Sequence, residues 1–466
     1  MRSLAVVVVL LVASCTKPNP VVCCTSPSDC NSLGVMDTSR PCTDGFVCID
    51  HECSSAPPVD AGPACTMDTD CPSNSPHCSS TNECVGCVDS TQCSQNMPVC
   101  DSSAMTCRGC ADDSECSSKA CDMNTGLCIS ESTVLYASPD GADGAACSQA
   151  DPCSITHAIS SVDSTRATVK LTAGTYTPPL SVGSKTMVIH GLGATLTRAQ
   201  SGYALTIGVG AHVRVIGLTI TSTGPGIECG PVDANATPVP FLELDNVTVS
   251  ADANFALFAY PCNFVASGSH FSSGMFSPAL FIATPSTATI DRSIFDGGGI
   301  EAAGLGSVVH VTNSLFYNQD VGPGSPGPLS GKAFGNAGPG EAFASFSTFA
   351  NANLSCGNVL PACAGGSGDG VCIDSSIVTS ASGDAIQGTG CSVSYSIAMP
   401  QVAALNGTNN QVNVDPLFVG GGSYALKGSS PAVDAADPNA VDTIDLAGTP
   451  RPQGPRNDIG AYEYKP

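Results

Sequence analysis

A short segment with the same three-position pattern recurs eight times between residues 215 and 398. The first, fourth and sixth residues of each copy are apolar residues or serine, and the interval between copies varies. A fixed element separated by loops of variable length is typical of a solenoid in which each copy forms one coil. Long helical periodicity is absent after Ser130, so the segments are predicted to be strands. The copies begin at Val215, Leu244, Ala266, Ile290, Val311, Ala344, Ile373 and Val393.

Two of these positions carry the same residue on neighbouring copies. The fourth position is serine in six successive copies, from Ser269 to Ser396, and the sixth is phenylalanine in four. Stacked strands lie ~4.8 Å apart, so identical side chains are expected to lie over one another. We expect the phenylalanines to stack inside the coil and the serines to bond along the ladder or to nearby backbone. An exposed aromatic platform for sugars is the alternative. The phenylalanines are Phe271, Phe295, Phe316 and Phe349.

The N-terminus has the features of an export signal. Arg2 precedes an apolar run over residues 4–12, which is shorter than the roughly 20 residues that a transmembrane helix needs. The run ends in Val-Ala-Ser-Cys15, which resembles the lipobox of bacterial lipoproteins. That resemblance implies a signal peptide over residues 1–14 and a lipid on Cys15. The chain has 27 cysteines, so 27 − 1 = 26 remain for pairing.

Cysteines also define a repeated region over residues 65–130. Three sets of four follow one another, and each set opens with Cys-x5-Cys. Units this short cannot bury a sufficient core, so we expect two disulfides per set, with the pairing left open among three possibilities. The spacings Cys84-x2-Cys87 and Cys107-x2-Cys110 are typical of zinc ligands, so zinc binding is the alternative to disulfides. Residues 15–64 hold a looser cysteine-rich module and a proline-rich linker. The repeat cysteines are Cys65, Cys71, Cys78, Cys84, Cys87, Cys93, Cys100, Cys107, Cys110, Cys116, Cys121 and Cys128.

The start of the body carries a family resemblance. The run from Leu135 to Gly144, followed by residues 151–159, resembles the opening segment of right-handed parallel β-helix proteins of the pectate-lyase-like superfamily. The resemblance implies an all-β fold, a right-handed parallel β-helix (solenoid). The cysteine repeats add a small disulfide-rich repeat region before it. The resemblance also implies a short helix from Ile155 to Ile159 that caps the first coil.

The C-terminal residues 411–466 resemble the closing segment of bacterial surface β-helix proteins named for an interchangeable anchor, the choice-of-anchor family. The matching runs are 413–418, 424–426, 429–435, 448–452 and 458–463. Together with the lipobox at Cys15, this resemblance implies a lipid-anchored protein of the bacterial cell envelope, an outer-membrane lipoprotein that faces either the periplasm or the cell surface.

The eight cysteines of the body are expected to pair by proximity. The sequence gives four neighbouring pairs after residue 130. The predicted disulfides join Cys147 with Cys153, Cys229 with Cys262, Cys356 with Cys363, and Cys372 with Cys391.

The charge of the chain bears on its partners. The whole chain has 16 Lys+Arg against 40 Asp+Glu, a net charge of −24, which excludes a nucleic-acid ligand bound through its phosphates.

A lyase acting on polyuronates needs a basic residue and often calcium on clustered acids. Residues 215–426 contain two basic residues, Arg292 and Lys332. No cofactor is expected, although calcium is possible at Asp437, Asp442 and Asp445.

The candidate site residues are acidic and sit on the predicted coils. Asp291, Arg292 and Asp374 are the candidates for catalysis, and Asp245, Asp291 and Asp296 are the candidates for binding. Asp245 and Asp291 are expected about 10 Å apart, which is loose for the paired carboxylates of a glycosidase. A solvated outer column is the simpler interpretation.

The sequence therefore favours a non-catalytic surface binding or adhesion module. The expected partners are the membrane, reached through the N-terminal lipid, and a polysaccharide or another envelope component. The enzyme alternative is a polysaccharide lyase or glycoside hydrolase of the pectate-lyase-like superfamily. The third hypothesis is a structural surface spacer.

Overall fold

The chain divides into two compact units, with the boundary between Ile129 and Ser130. A computed structural model describes residues 65–230, 237–252, 254–274, 277–283, 285–304, 306–317, 340–352, 354–355, 370–381, 383–388 and 391–466. It also describes the backbone of the strands at 46–49, 52–55 and 329–332. Within these residues, no helix is long and apolar enough to cross a membrane.

Each set of the cysteine repeats is a small hairpin unit with two disulfides. The first cysteine of a set bonds the third, and the second bonds the fourth. The hairpin strands are His77–Cys78 with Cys84–Val85, Val99–Asp101 with Thr106–Arg108, and Cys121–Asp122 with Leu127–Cys128. Before each hairpin lies one turn of 3-10 helix, at Asp68–Asp70, Ser90–Gln92 and Asp113–Glu115. A further hairpin joins Phe46–Ile49 and Glu52–Ser55.

The polar gap between the first two cysteines of each set has a structural role. The amide of the third cysteine donates to a side chain of the 3-10 turn: Cys78 to Asp68 at 2.8 Å, and Cys121 to Asp113 at 2.9 Å. In the middle set, Ser90 is the acceptor. These bonds and the disulfides replace the apolar core that such short units lack.

Three stacks of short parallel strands build the second unit. In the described residues the first sheet has eleven strands, the second eleven and the third seven. The first sheet contains Val134–Ala142, Thr168–Leu171, Thr186–His190, His212–Ile216, Phe241–Asp245, Asn263–Ser267, Thr287–Asp291, Val308–Thr312, Glu341–Ser345, Gly370–Asp374 and Cys391–Ser394.

In the seven coils that contribute to all three sheets, the chain passes from the first sheet to the second and then to the third. The second sheet contains Gly174–Tyr176, Ala194–Arg198, Thr219–Ser222, Thr248–Ala251, His270–Ser273, Ile294–Asp296, Leu315–Tyr317, Thr348–Phe349, Ile377–Thr379, Ile397–Met399 and Gln411–Val412. The third sheet contains Leu180–Val182, Leu205–Ile207, Ile227–Cys229, Leu257–Ala259, Leu280–Ala283, Ile300–Ala303 and Leu329–Lys332. Leu354–Ser355 pairs with Ile386–Gln387. The fold is the parallel β-helix that the repeat predicts.

The register confirms the alignment of the eight copies. The first positions pair in order from Val215 to Val393, and the sixth positions pair from Ile220 to Ala398. The four phenylalanines of the sixth column are fully buried and stacked, so they form core and not a sugar platform. One continuous apolar core runs from Leu135 to Ala398.

A column of left-handed residues turns the chain from the first sheet into the second. Their φ angles lie between 46° and 64°, a region that costs energy for most side chains. The amide of each residue donates to a carbonyl of the next coil, as Arg292 does to Thr312 and Asn313 to Ser345. These bonds repeat the same sharp turn in every coil. The column is Gly217, Asn246, Gly268, Arg292, Asn313, Phe346, Ser375 and Tyr395.

Both ends of the stack are covered. Helix Ile155–Ser160, which begins after the N-cap Ser154, buries Ile155, Ala158 and Ile159 at the first coil. The closing segment includes the hairpin Phe418–Gly420 with Ser423–Leu426. It packs Leu426, Ala432, Ala436 and Ile459 against Phe346, Ile377 and Ile397 of the last coils. The terminal coils are thus protected in the way that solenoids require.

Buried Arg451 fixes the closing segment. Its guanidinium lies 5.0 Å from the ring centroid of Phe346 and pairs with buried Glu463 at 3.2 Å. It also donates to the carbonyls of Asp458 and Gly460. The amide of Gly460 in turn donates to the carbonyl of Ser375 at 2.9 Å, which joins the segment to the coil.

Candidate functional site

The acidic column predicted from the sequence exists at the end of the first sheet. Register pairs Asp245 with Ser267, Ser267 with Asp291, and so on through Thr312 and Ser345 to Asp374. Every member stands directly before a left-handed turn residue. The local backbone therefore places these side chains at one edge, although their environments differ.

Asp245 is not a solvated residue, contrary to the simpler interpretation. It is only 4% exposed, because Arg214 covers it and donates to its Oδ2 at 2.6 Å. Arg214 also lies 3.3 Å from Glu243. Arg214 lies one residue before the first copy of the repeat and is not among the predicted site residues. The strand register could have indicated this contact, because it pairs Arg214 with Glu243 on the next coil, two residues before Asp245.

Asp291 is held on both carboxylate oxygens. Arg292 donates from Nε to Oδ2 at 2.7 Å, while Thr312 and Asn313 donate to Oδ1 at 2.9 and 3.1 Å. Arg292 also donates to Ser267 at 2.9 Å. The left-handed turn thus orients Arg292 along the sheet edge as a partner of Asp291. Asp245 and Asp291 lie two coils apart and do not form a carboxylate pair.

Asp374 lies at the covered end of the same column. Burial raises the pKa of its carboxyl, and the nearby Asp437 raises it further, while a hydrogen bond from Ser375 opposes both effects. The Ser375 hydroxyl lies 2.8 Å from Asp374 and accepts from the amide of Asp437 at 3.0 Å. Asp374 therefore belongs to the contact between the last coils and the closing segment.

Asp296, the remaining acidic candidate, lies on the outward face of the second sheet. Register places it in one column with five hydroxyl side chains, so that the column extends over six consecutive coils. All six are partly exposed. Neighbouring hydroxyls are in hydrogen-bond contact at 3.1 Å between the first two members and at 2.9 Å between the two serines. The column is Thr197, Thr221, Ser250, Ser272, Asp296 and Tyr317.

A second hydroxyl column runs beside the first. Thr175, Thr195, Thr219 and Thr248 pair in order, two residues before the corresponding members of the first column. Further along, the same position carries Leu315, Ile377 and Ile397, all buried. The second sheet therefore shows hydroxyls to solvent in its early coils and apolar side chains where the closing segment packs in its last coils.

Tyrosines stand at the end of the hydroxyl column. The ring of Tyr424, from the closing segment, lies 5.9 Å from that of Tyr317 and 5.5 Å from Phe418. Burial raises the pKa of the Tyr317 phenol, and the adjacent Asp296 raises it further. Burial likewise raises the pKa of Tyr462. These phenols remain protonated hydrogen-bond donors at neutral pH. The sequence does not reveal them as a group, because Tyr424 and Tyr462 follow the repeats.

Another aromatic cluster lies on the outward face of the third sheet. Phe258 and Phe281 stack at 5.5 Å with an angle of 11° between the rings, and Phe255 and Tyr260 flank them. All four are partly exposed. The strand register adds Glu228 on one side and Glu301 on the other. The repeat pattern missed this sheet, since its strands follow loops of variable length.

The cysteine repeats offer no metal ligands in the described residues. Three sulfurs of each set lie close together, but every cysteine involved is disulfide-bonded and has no thiolate to donate. The zinc alternative for Cys84-x2-Cys87 and Cys107-x2-Cys110 is therefore wrong. Asp437, Asp442 and Asp445 each accept hydrogen bonds from nearby backbone amides, those of Asn439, Thr443 and Thr449. Calcium binding at these three residues stays a prediction.

Body disulfides join Cys147 with Cys153 and Cys229 with Cys262. Cys372 and Cys391 are both disulfide-bonded. Their register places Cys372 on the outward face and Cys391 on the inward face, so a bond between these two stays a prediction. The predicted partners Cys356 and Cys363 lie outside the described residues.

Comparison with known proteins supports no family assignment. Neither protein-family models nor curated proteins give a match to the chain. Among solved structures, the chain is similar to the crystal structure of pectate lyase Pel9A, with a TM-score of 0.40 and 14% identity. The similarity covers 72% of this chain and 98% of that chain. The fold assignment therefore depends on the strand register described above.

Proposed function

We propose that the protein is a lipid-anchored component of the bacterial envelope and that its β-helix is a non-catalytic binding module for a polysaccharide. The observation that carries this proposal is the column from Thr197 to Tyr317, which presents a hydrogen-bonding side chain on six consecutive coils. The outward face of the second sheet is the proposed binding surface.

The spacing of this column suits a polymer. Its side chains repeat at about the 4.8 Å interstrand distance, so a linear chain of hydroxylated units meets a similar contact at each coil. A hydroxyl both donates and accepts, which matches the chemistry of sugar hydroxyls. The rings of Tyr317 and Tyr424 supply apolar faces at one end. This combination is typical of sugar recognition, in which apolar surface and a few placed polar groups act together.

The negative charge of the chain favours neutral polysaccharides over acidic ones as ligands. Residues 215–426 carry 14 acidic and two basic residues, a balance of 2 − 14 = −12. That surface repels a polyuronate. We therefore propose a neutral polysaccharide as the ligand.

A glycan array tests the binding proposal. The probe is the secreted chain with Cys15→Ser, compared with Tyr317→Ala, Asp296→Asn and the matched control Thr289→Val, an exposed threonine of the first sheet. We expect selective binding of a neutral glycan that both column variants weaken and the control retains. Absence of binding, or binding that neither column variant alters, would contradict the proposal.

Catalysis has less support from the contacts. Both oxygens of Asp291 accept hydrogen bonds, and Arg292 is engaged by Asp291 and Ser267. The lyase or hydrolase alternative predicts shortened products from a bound glycan and their loss in Asp291→Asn. The binding proposal predicts that the glycan is recovered intact. Product analysis by mass spectrometry separates the two.

The envelope location is proposed from the sequence alone. Cys15 lies outside the described residues. We expect metabolically supplied palmitate to label the protein in a Gram-negative host and Cys15→Ser to abolish the label. Labelling that persists in this variant would refute the anchor without affecting the binding proposal.

A further inference from the structure

A carboxylate lies beside the aromatic cluster of the third sheet. Strand register pairs Glu228 with Phe258, and Phe258 with Phe281, on the outward face of three consecutive coils. Phe281 stacks on Phe258 from the following coil, and Glu228 holds the neighbouring position on the preceding coil. Rings in full contact lie about 3.5–4.0 Å apart. The 5.5 Å between the two centroids therefore means that the rings are offset, and that neither ring covers the whole face of the other.

Two more rings border the same carboxylate. Tyr203 and Phe255 each stand two residues before a strand of the third sheet, one coil before Glu228 and one coil after it. The ring of Phe255 lies 5.8 Å from that of Phe258. Burial raises the pKa of the Tyr203 phenol to about 12, and the negative charge of Glu228 contributes to this shift. Aromatic rings therefore lie near Glu228 on both sides along the stack.

Glu228 has no basic partner among the residues that the structure describes. Burial raises the pKa of its carboxyl, and a hydrogen bond from the Thr206 hydroxyl opposes this effect. Arg198, on the preceding coil, donates to carbonyls of its own turn and not to Glu228. A carboxylate that loses water without gaining a counter-charge is unfavourable. The space beside Glu228 therefore favours a cation.

Partly exposed rings around an unpaired carboxylate suit an organic cation. Aromatic faces attract cations, and quaternary ammonium groups are recognised in this way. Such a group has no N–H to satisfy, whereas a primary ammonium carries three donors that need acceptors. The acidic surroundings, with a balance of 2 − 14 = −12 over residues 215–426, attract a cation. They repel the phosphate that accompanies the ammonium group in a lipid headgroup, so a free soluble cation is favoured over a lipid.

We propose that the rings of Tyr203, Phe255, Phe258 and Phe281, together with Glu228, bind the quaternary ammonium group of a small soluble ligand. The cation lies between the carboxylate of Glu228 and the face of Phe258, with Tyr203 and Phe255 at its sides. This site is on a different sheet from the proposed polysaccharide-binding surface and does not depend on it.

Calorimetry on the full-length Cys15→Ser protein, with choline as the probe, tests this site. The comparison ligand is the neutral analogue in which a tert-butyl group of the same shape replaces the trimethylammonium group. We expect choline to bind about tenfold or more tightly than this analogue, and Glu228→Gln and Phe258→Ala each to weaken choline binding by about tenfold. Phosphocholine should bind more weakly than choline, because its phosphate meets an acidic surface.

Matched controls come from the strand Glu341–Ser345 of the first sheet. Glu341→Gln and Phe343→Ala remove a partly exposed carboxylate and a partly exposed ring on that other sheet, and both should leave choline binding unchanged. Circular dichroism checks the fold of each variant, and Glu228→Gln, which keeps the side-chain shape, decides the test if Phe258→Ala unfolds.

Three results would overturn the proposal. The first is that choline does not bind, and the second is that the neutral analogue binds as tightly as choline. The third is that Glu228→Gln binds choline like the parent protein. Binding of phosphocholine at least as tight as that of choline would contradict the choice of a free cation over a lipid headgroup.

Discussion

The backbone amide of Ser293 donates to the hydroxyl of Ser314, one coil further along the stack, at 3.1 Å. The Ser314 hydroxyl donates in turn to the carbonyl of Thr312 at 2.7 Å. The same pair of bonds recurs from Ser269 to Ser396, where Asn410 is the last acceptor. Each buried serine thus satisfies one amide and one carbonyl at the corner between two sheets, which explains its repetition.

Removal of one serine hydroxyl should destabilise the β-helix. Ser314→Ala leaves the amide of Ser293 buried without an acceptor, so we expect the free energy of unfolding to fall by about 1–3 kcal/mol. Urea unfolding followed by circular dichroism measures the change. Ser181→Ala, at an exposed serine of the third sheet, is the control and should have little effect. Equal stability of the two variants would show that the ladder does not stabilise the fold.

The phenylalanine column should be more sensitive. Phe295 stacks on Phe271 at 5.3 Å and on Phe316 at 4.3 Å, with no exposure. Phe295→Ala opens a cavity and is expected to cost about 3–5 kcal/mol. The outward-facing Phe258→Ala should cost clearly less, because that ring is already partly exposed. A comparable loss for both variants in thermal unfolding would argue against the core assignment.

The ion pair between the second and third cysteine sets should depend on pH. Arg108 bonds Glu115 at 2.6 Å, and this hydrogen bond, aided by the amide of Ala111, lowers the pKa of Glu115 to about 2. Because the folded pKa lies below the ordinary value of 4.5, the stabilisation is present above pH 4.5 and is lost as pH falls toward 2.

NMR of the protein labelled with 13C at glutamate carboxyls follows this titration directly. In the parent protein the Glu115 carboxyl should titrate near pH 2, and in Arg108→Met its pKa should move toward 4.5. A Glu115 titration that Arg108→Met leaves unchanged would rule out the pair as the cause.

Disulfides should decide the stability of the cysteine repeats. Cys71 bonds Cys84 across 13 residues, so Cys71→Ser with Cys84→Ser removes one cross-link from the first set. We expect a loss of about 2–5 kcal/mol locally, seen as rapid proteolysis of residues 65–86. Proteolysis of the same double variant should leave residues 130–466, which contain the β-helix, intact. Non-reduced peptide mapping gives an independent test, since any pairing other than first to third and second to fourth contradicts the structure.

Much of the β-helix could be predicted because its signal is periodic. Val215, Leu244 and the equivalent residues recur on each coil of the repeat, and each coil pairs with the coil before it and the coil after it. One alignment therefore gives the strand register of both long sheets over these coils. The cysteine sets likewise indicate cross-linked units. The third sheet escaped prediction, because loops of variable length precede strands such as Leu257–Ala259 and hide their period.

The candidate site was predicted only in part. The column of Asp245, Asp291 and Asp374 follows from the repeat, but the state of each carboxylate does not. Arg214 buries the first, Arg292 and Asn313 bind the second, and the closing segment covers the third. Arg292 directly follows Asp291 in the chain, but Arg214, Asn313 and the closing segment lie on other coils or far along the sequence, and a sequence pattern does not specify side-chain contacts over such separations.

Local periodicity predicts the strands of the two long sheets and the stacking of identical residues, because each coil of the repeat carries the same pattern. The export of the chain stays a prediction from its N-terminal residues. The pairing within the cysteine sets, the burial of Asp245 and the contact of Tyr317 with Tyr424 follow only from the folded chain. Each of these depends on distances between residues far apart in the chain, and only the folded backbone fixes those distances.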